Sequence, residues 1–198
     1  MIIDENLLLE NGAAYEDYTA KETIYHIGDT PHYYFQIIRG TVELNNYHED
    51  GKEFTLNILS EGQSIGESLL FGDKTYPMNA VAKTDCRLLK LSKSNFLQLL
   101  RDNQETVFDL FRHLSDRLFY KYVMLFNNSA VDPASKIRSL MDYYKESSPV
   151  TKQFGYHIPL TRQQIANLTG LRVETVIRAV KKMEQENMVQ IRERQIYY

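Results

Sequence analysis

Between Glu22 and Leu91 short apolar or alternating runs recur, at Tyr33 to Ile38, Thr41 to Leu44, Phe54 to Leu59, Ala80 to Ala82 and Cys86 to Leu91. Turn pairs punctuate them: Gly28-Asp29, Arg39-Gly40, Glu61-Gly62 and Gly72-Asp73, with Glu49-Asp-Gly51 as a longer one. Many short strands at this spacing predict an antiparallel barrel or sandwich over residues 1–101. The period then changes. Ser94 to Leu100 reads as a short helix, and Asp102, with Glu105 three positions on, can cap a longer one.

From there apolar residues fall at Val107, Phe111, Leu114, Leu118 and Leu125. A helix from about Asn103 to Asn127 is roughly 37 Å long at 1.5 Å per residue, and its heptad-like stripe suits a two-helix seam between copies of the chain. The other reading of the stripe is a helix packed on its own barrel. Lys121 interrupts it, and Phe108, Phe119 and Phe126 lie off it. The run from Asn127 to Pro133 predicts a break and a hinge, because the residue before proline is pushed from the α region. Residues 102–128 thus form the long helix and hinge, and residues 129–198 a second domain. That domain opens with a helix over Pro133 to Lys145, then a polar loop and a short strand ending near Ile158.

In the last forty residues Thr161 followed by Gln164 forms a capping box, so a helix starts at Arg162 and runs to about Leu168. Ala166 is small enough for a helix crossing, and Gly170 supplies a tight turn that a side chain would strain. A second helix follows at once. Val176, Ala179, Val180 and Met183 recur at helical spacing and can bury, leaving Arg172, Val173, Glu174, Ile177, Arg178 and Lys181 on the outer face. Met188 to Ile191 and Gln195 to Tyr198 read as two strands of a wing. Together these parts specify a winged helix-turn-helix.

Charge sharpens this picture. The chain has 198 residues and a net charge of −3, yet residues 1–150 carry −7 and residues 151–198 carry +4. A basic segment on an acidic body is the electrostatic outline of a nucleic-acid-binding module joined to something else. With 43% apolar and 25% charged residues, and no run of about 18 apolar residues, the chain reads as globular, without membrane span or signal peptide, and cytoplasmic. The single cysteine, Cys86, excludes an intrachain disulfide and a cysteine-built cluster, and reads as a small buried strand residue.

These segments resemble the CRP/FNR family of bacterial transcription regulators. The carriers are the helix-turn-helix from Leu160 to Arg178, Gly28, Gly40 and Gly62, and the run Gly66-Glu-Ser-Leu-Leu-Phe71, which is similar to the opening of the family's phosphate-binding cassette. The resemblance implies an α+β chain: an antiparallel β-roll sensor, a long dimerisation helix and a winged helix-turn-helix. It implies a homodimer on double-stranded DNA and a surface at 143–152 that can touch RNA polymerase. Thr161, Arg162 and Gln163 match positions that meet phosphate, and Arg172, Thr175 and Lys181 are expected to join them.

The base readers can also be argued from their chemistry. Arg178 can place its guanidinium fork on guanine O6 and N7, and Glu174, one turn earlier, can accept from a cytosine amine. The alternative is a salt bridge between the two on a solvated face. The Val173-Glu174-Thr175 run follows the FNR-type version, but Ile177 stands where that version has serine and can make only apolar contact. A half-site nearer TTGA than TGTGA is expected.

The effector side departs from the family. Allowing one deletion, Tyr76 and Pro77 replace the Arg-Ser pair that neutralises a cyclic phosphate, and Lys121 and Tyr122 replace the Thr-Ser pair that reaches adenine. Cyclic AMP is therefore not expected, and neither is any other named cofactor or metal. What remains is an unidentified small molecule in the β-roll that modulates activity, or no ligand at all; if a pocket exists, Gly66, Glu67, Ser68, Tyr76, Met78, Lys121 and Tyr122 should line it. Two rival functions remain at this point: a cupin-like metal-dependent enzyme, disfavoured because no His-x-His pair occurs, and a nucleotide-responsive regulatory subunit, which leaves the winged helix unused.

Overall fold

The computed structural model describes residues 2–146 and 148–198 and divides the chain into two compact units, Met1–Leu118 and Phe119–Tyr198. The first unit holds β1 (Ala14–Tyr18), β2 (Thr23–Tyr25), β3 (Tyr33–Arg39), β4 (Thr41–Tyr47), β5 (Glu53–Ser60), β6 (Ser64–Ile65), β7 (Asn79–Ala82) and β8 (Cys86–Ser92). They form two antiparallel four-stranded sheets, ordered β1-β8-β3-β6 and β2-β7-β4-β5. Gly40 makes the corner between β3 and β4 at φ +99°, where an added Cβ would lie 2.6 Å from the Asp85 carbonyl and from Cys86 Sγ. Cys86 is buried, its thiol donating toward the Thr41 and Thr84 carbonyls.

Tyr25, Phe35, Ile37, Val42, Leu59, Ile65, Tyr76 and Leu88 belong to one core cluster of this unit. A second cluster collects Ile3, Leu8, Tyr34, Leu89, Leu91, Phe96, Leu99 and Leu110. Neighbours along β3 and β8, such as Tyr34 and Phe35 or Leu88 and Leu89, divide between the two clusters. Both faces of this sheet are therefore covered, which is why β3 and β8 read as continuous apolar runs and not as alternations. Helices α1 (Glu5–Glu10) and α2 (Lys93–Asp102) supply part of that second cover. Buried Gln36 anchors the N-terminal segment, accepting from the Ile3 N–H at 3.1 Å and donating to the Ile3 carbonyl at 2.9 Å.

The structure corrects two boundaries. Asp102 ends α2 and accepts from the Gln98 amide instead of capping the next helix. Helix α3 runs from Gln104 to Ser129, two residues past the expected end, and is shared by both units. Asp132 accepts from the Ser135 N–H and hydroxyl at 2.9 Å, so the proline begins α4 (Pro133–Glu146) where its missing N–H costs nothing.

The second unit continues with α5 (Arg162–Thr169), α6 (Val173–Gln185), β9 (Gln190–Arg192) and β10 (Gln195–Tyr197). The segment at 156–158 pairs antiparallel with β10 through Tyr156–Tyr198 and Ile158–Ile196 backbone bonds, so the wing has a third member at its base. No helix among the described residues is long and apolar enough to cross a membrane.

Candidate nucleic-acid interface

The capping box is present: Thr161 Oγ1 accepts from the Gln164 N–H at 3.2 Å, and Gln164 Oε1 accepts from the Thr161 N–H at 2.8 Å. Gly170 ends α5 at φ +68°, a left-handed turn in which glycine meets no Cβ penalty. Ile165, Ala166 and Leu168 of α5 are buried, as are Val176, Val180 and Met183 of α6. With those six residues buried, one side of α6 is left to solvent.

On that side Glu174, Ile177, Arg178 and Lys181 are all exposed, at spacings of three, one and three residues. Arg172 is exposed beside them, whereas Val173 and Thr175 are half-buried. No salt bridge joins Glu174 to Arg178, so the expected alternative of an internal pair is absent from this row. Both groups keep their hydrogen-bonding capacity for another molecule. Thr161 and Gln163 are exposed at the start of α5, with the Gln163 amide donating to Asn167 Oδ1 at 2.8 Å. Arg162 differs from the expectation: its guanidinium donates to the Arg194 carbonyl in the wing turn.

Along α3 the expected stripe divides between two faces. Val107 and Leu114 pack against the second core cluster beside Leu110, so they face the chain's own β-domain. The exposed apolar residues are Phe108, Phe111, Leu118, Tyr122 and Leu125, with Ser115 between them, in an unbroken 3-4 repeat. Phe119 and Phe126 flank this row, Phe126 at 79% exposure. The reading of a helix packed on its own barrel therefore holds for the Val107 and Leu114 side, and Phe108 and Tyr122 join the exposed row, which the half-buried Val107 and Leu114 mimic in period.

The cassette of the first unit is closed. Tyr76 is 3% exposed and stacks on Tyr25 with ring centroids 3.6 Å apart and planes 9° apart. Its backbone is fixed to the Gly28 turn by two hydrogen bonds, at 2.8 and 2.9 Å. Gly66 lies beneath the ring, so close that a Cβ there would meet Tyr76 Cε1 at 2.8 Å. Burial, and next the nearby Glu67 carboxylate, push the Tyr76 phenol up to about 12, so it stays neutral. Glu67 begins the 3₁₀ turn at Glu67–Phe71, is fully buried, and accepts from Arg117 Nη1 of α3 at 2.6 Å. The same guanidinium donates to the Ser64 carbonyl at 2.5 Å. Arg117 was not among the expected pocket residues, although its place on the Leu110 and Leu114 side of α3, three residues after Leu114, was its signal. Of those expected, Met78 packs on the core, Ser68 is exposed, and Lys121 and Tyr122 are exposed on α3 in the second unit.

Residues 15–103 match the cyclic nucleotide-binding domain family and residues 137–198 the Crp-like helix-turn-helix domain family. A cAMP-activated global transcriptional regulator, CRP of Haemophilus influenzae, is 32% identical over 174 residues, covering 87% of this chain and 78% of that one. Its counterpart Vfr of Pseudomonas aeruginosa is 28% identical over 180 residues, covering 88% and 84%. The solved structure of the c-di-GMP-responsive regulator CLP of Xanthomonas campestris shares the fold, with a TM-score of 0.78 at 22% identity over 98% of both chains. These relatives are regulators, which removes the metal-enzyme and regulatory-subunit readings. The paired domains, their order and the identity to CRP place this chain in the CRP/FNR family as a DNA-binding transcription regulator.

Proposed function

We propose that the protein binds an inverted-repeat promoter site as a homodimer in the bacterial cytoplasm, with the exposed row of α6 as its reader. The observation that carries this is the unpaired set Glu174, Ile177, Arg178 and Lys181 on one solvent-facing side of a helix whose other side is buried. Arg178 takes a guanine by its O6 and N7, Glu174 takes the cytosine amine of a C·G pair, and Ile177 contacts a thymine methyl. Val173 borders these readers. Thr161, Gln163, Arg172, Thr175 and Lys181 meet the phosphates that set register. The surface expected at 143–152 is retained as the contact for RNA polymerase; Ser147 within it lies outside the described residues.

Homodimerisation is supported by the 3-4 repeat of exposed Phe108, Phe111, Leu118, Tyr122 and Leu125, an apolar row that water would otherwise cover. The β-domain takes no cyclic AMP in this reading. Where a cyclic phosphate needs a cation, the chain has the neutral Tyr76 ring, stacked and buried, while Glu67 is already held by Arg117. A cyclic phosphate seated on this cassette would have to displace the Tyr76 ring, so DNA binding is expected without cyclic AMP.

Selection of duplexes from a random pool by the full chain tests the whole reading. The expected result is a symmetric site whose half-site centres lie about one helical turn, roughly 34 Å, apart, recovered equally with and without cyclic AMP. An asymmetric site, or enrichment only when the nucleotide is added, would overturn it.

A further inference from the structure

Arg162 is the first residue of α5, a position suited to meeting phosphate directly. Its side chain is turned elsewhere. The guanidinium donates to the Arg194 carbonyl, thirty-two residues later in the wing turn. It is half-buried, burial pulls its pKa down, and Glu184 of α6 is the charge that opposes that pull. Glu184 in turn accepts, through Oε1, the Ile191 N–H of β9 at 3.0 Å. One side chain from each helix therefore holds one end of the wing hairpin.

The wing turn needs such holds. Glu193 and Arg194 both have positive φ, 48° and 66°, and neither is glycine. Two central residues of this kind make a type I′ hairpin, which favours asparagine and glycine, and each L-residue in the left-handed region costs roughly 1 kcal/mol. The ladder beneath it is short, pairing only Gln190 to Arg192 with Gln195 to Tyr197. The segment at 156–158 backs β10 alone, so the three-residue β9 and the turn hang on this short ladder. The tip carries two cations in different states. Arg192 is committed, lying 4.7 Å over the Tyr197 ring and donating to Gln190. The exposed Arg194 guanidinium engages nothing among the described residues.

We infer that Arg162 is a positioning residue that acts on DNA through the wing: it fixes the turn whose free Arg194 side chain delivers the phosphate contact. The inference rests on the winged helix being the DNA-binding face, which the pool selection tests separately.

A double-mutant cycle of the full chain, reading DNA affinity against salt, tests it. Both protomers of the homodimer lose the contact in Arg194→Ala, so binding is expected to weaken about tenfold per half-site, about a hundredfold in all, and the slope of log K against log salt to fall by about 1.8. Arg162→Ala should weaken binding without a further loss of slope in the Arg194→Ala background, and the double variant should bind within about twofold of Arg194→Ala alone. Additive losses with a slope reduced by about 3.6, two contacts per half-site, would make Arg162 an independent phosphate contact and overturn the inference. Hydrogen exchange of the DNA-free protein supplies the second readout. The amides of residues 190–197 should exchange at least tenfold faster in Arg162→Ala while those of α6 do not change; unchanged wing protection would overturn it too. Should Arg162→Ala fail to fold, Arg162→Gln, with a shorter donor, replaces it in both measurements.

Discussion

Arg178 and Arg117 are the same residue type in opposite settings, and the setting decides what each does. Arg178 stands exposed and unpaired on α6, so its fork is available to a base edge. Arg178→Ala is expected to cost on the order of 1–3 kcal/mol per half-site on the selected duplex and to relax preference at one base pair, with little change on random DNA. Anisotropy titrations on both duplexes check this, and equal losses on both would make Arg178 a backbone contact. Arg117 is committed to buried Glu67 and to the Ser64 carbonyl. Arg117→Met leaves that carboxylate buried without its cation and should cost about 3–5 kcal/mol in urea denaturation. Combining it with Glu67→Gln should recover part of the loss, because the uncompensated charge is then gone.

At the scale of elements, the proposed assembly rests on α3. Its Leu110 row turns into the second core cluster, and its Phe111 row stays exposed in the single chain. Burying one such apolar side chain against a second copy contributes about 1.5–3 kcal/mol. Leu118→Glu, which also places like charges across the seam, should therefore weaken dimerisation at least tenfold in sedimentation and DNA affinity with it. Val107→Ala should instead lower folding stability and leave the dimer intact. The reverse pattern would return the seam to the Val107 and Leu114 face.

For the molecule as a whole, pH links the closed cassette to stability. His113 on α3 is half-buried, with Nε2 lacking a hydrogen-bond partner. Burial first, and Arg117 next, hold its pKa below the ordinary 6.5, while Glu67 and Asp116 act in the other direction. A depressed folded-state pKa means that the unfolded chain binds the proton more readily. The stability contributed by neutral His113 is thus present above about pH 6.5 and lost as pH falls toward the folded value. For one proton the slope cannot exceed about 1.4 kcal/mol per pH unit. Urea denaturation between pH 7.5 and 5.5 should show this decline, and His113→Gln should flatten it; an identical profile in the variant would assign the decline to other groups.

Sequence alone determined what depends on local chemistry. The capping box at Thr161, the turn at Gly170, the buried row of α6 and the basic balance of residues 151–198 are set by neighbours a few positions apart, so the winged helix and the exposed row of α6 were legible. Most strands were legible for the same reason, but β1 and α1 were not. The polar run Ala14–Tyr18 is an outer strand of its sheet, paired with β8 alone among the described residues, and α1 starts at a cap on Asp4, next to Ile3, which the distant Gln36 holds. Tertiary structure decided three things that spacing cannot carry. Period alone does not say which of two adjacent apolar rows of α3 meets the β-domain, because Val107 and Phe108 differ by one residue and lie on neighbouring stripes. Arg117 reaches Glu67 across fifty positions, and Arg162 reaches the wing across thirty-two. Such pairings follow from how sheets and helices close on one another, since a long side chain takes the nearest acceptor in space, however far away that acceptor lies along the chain.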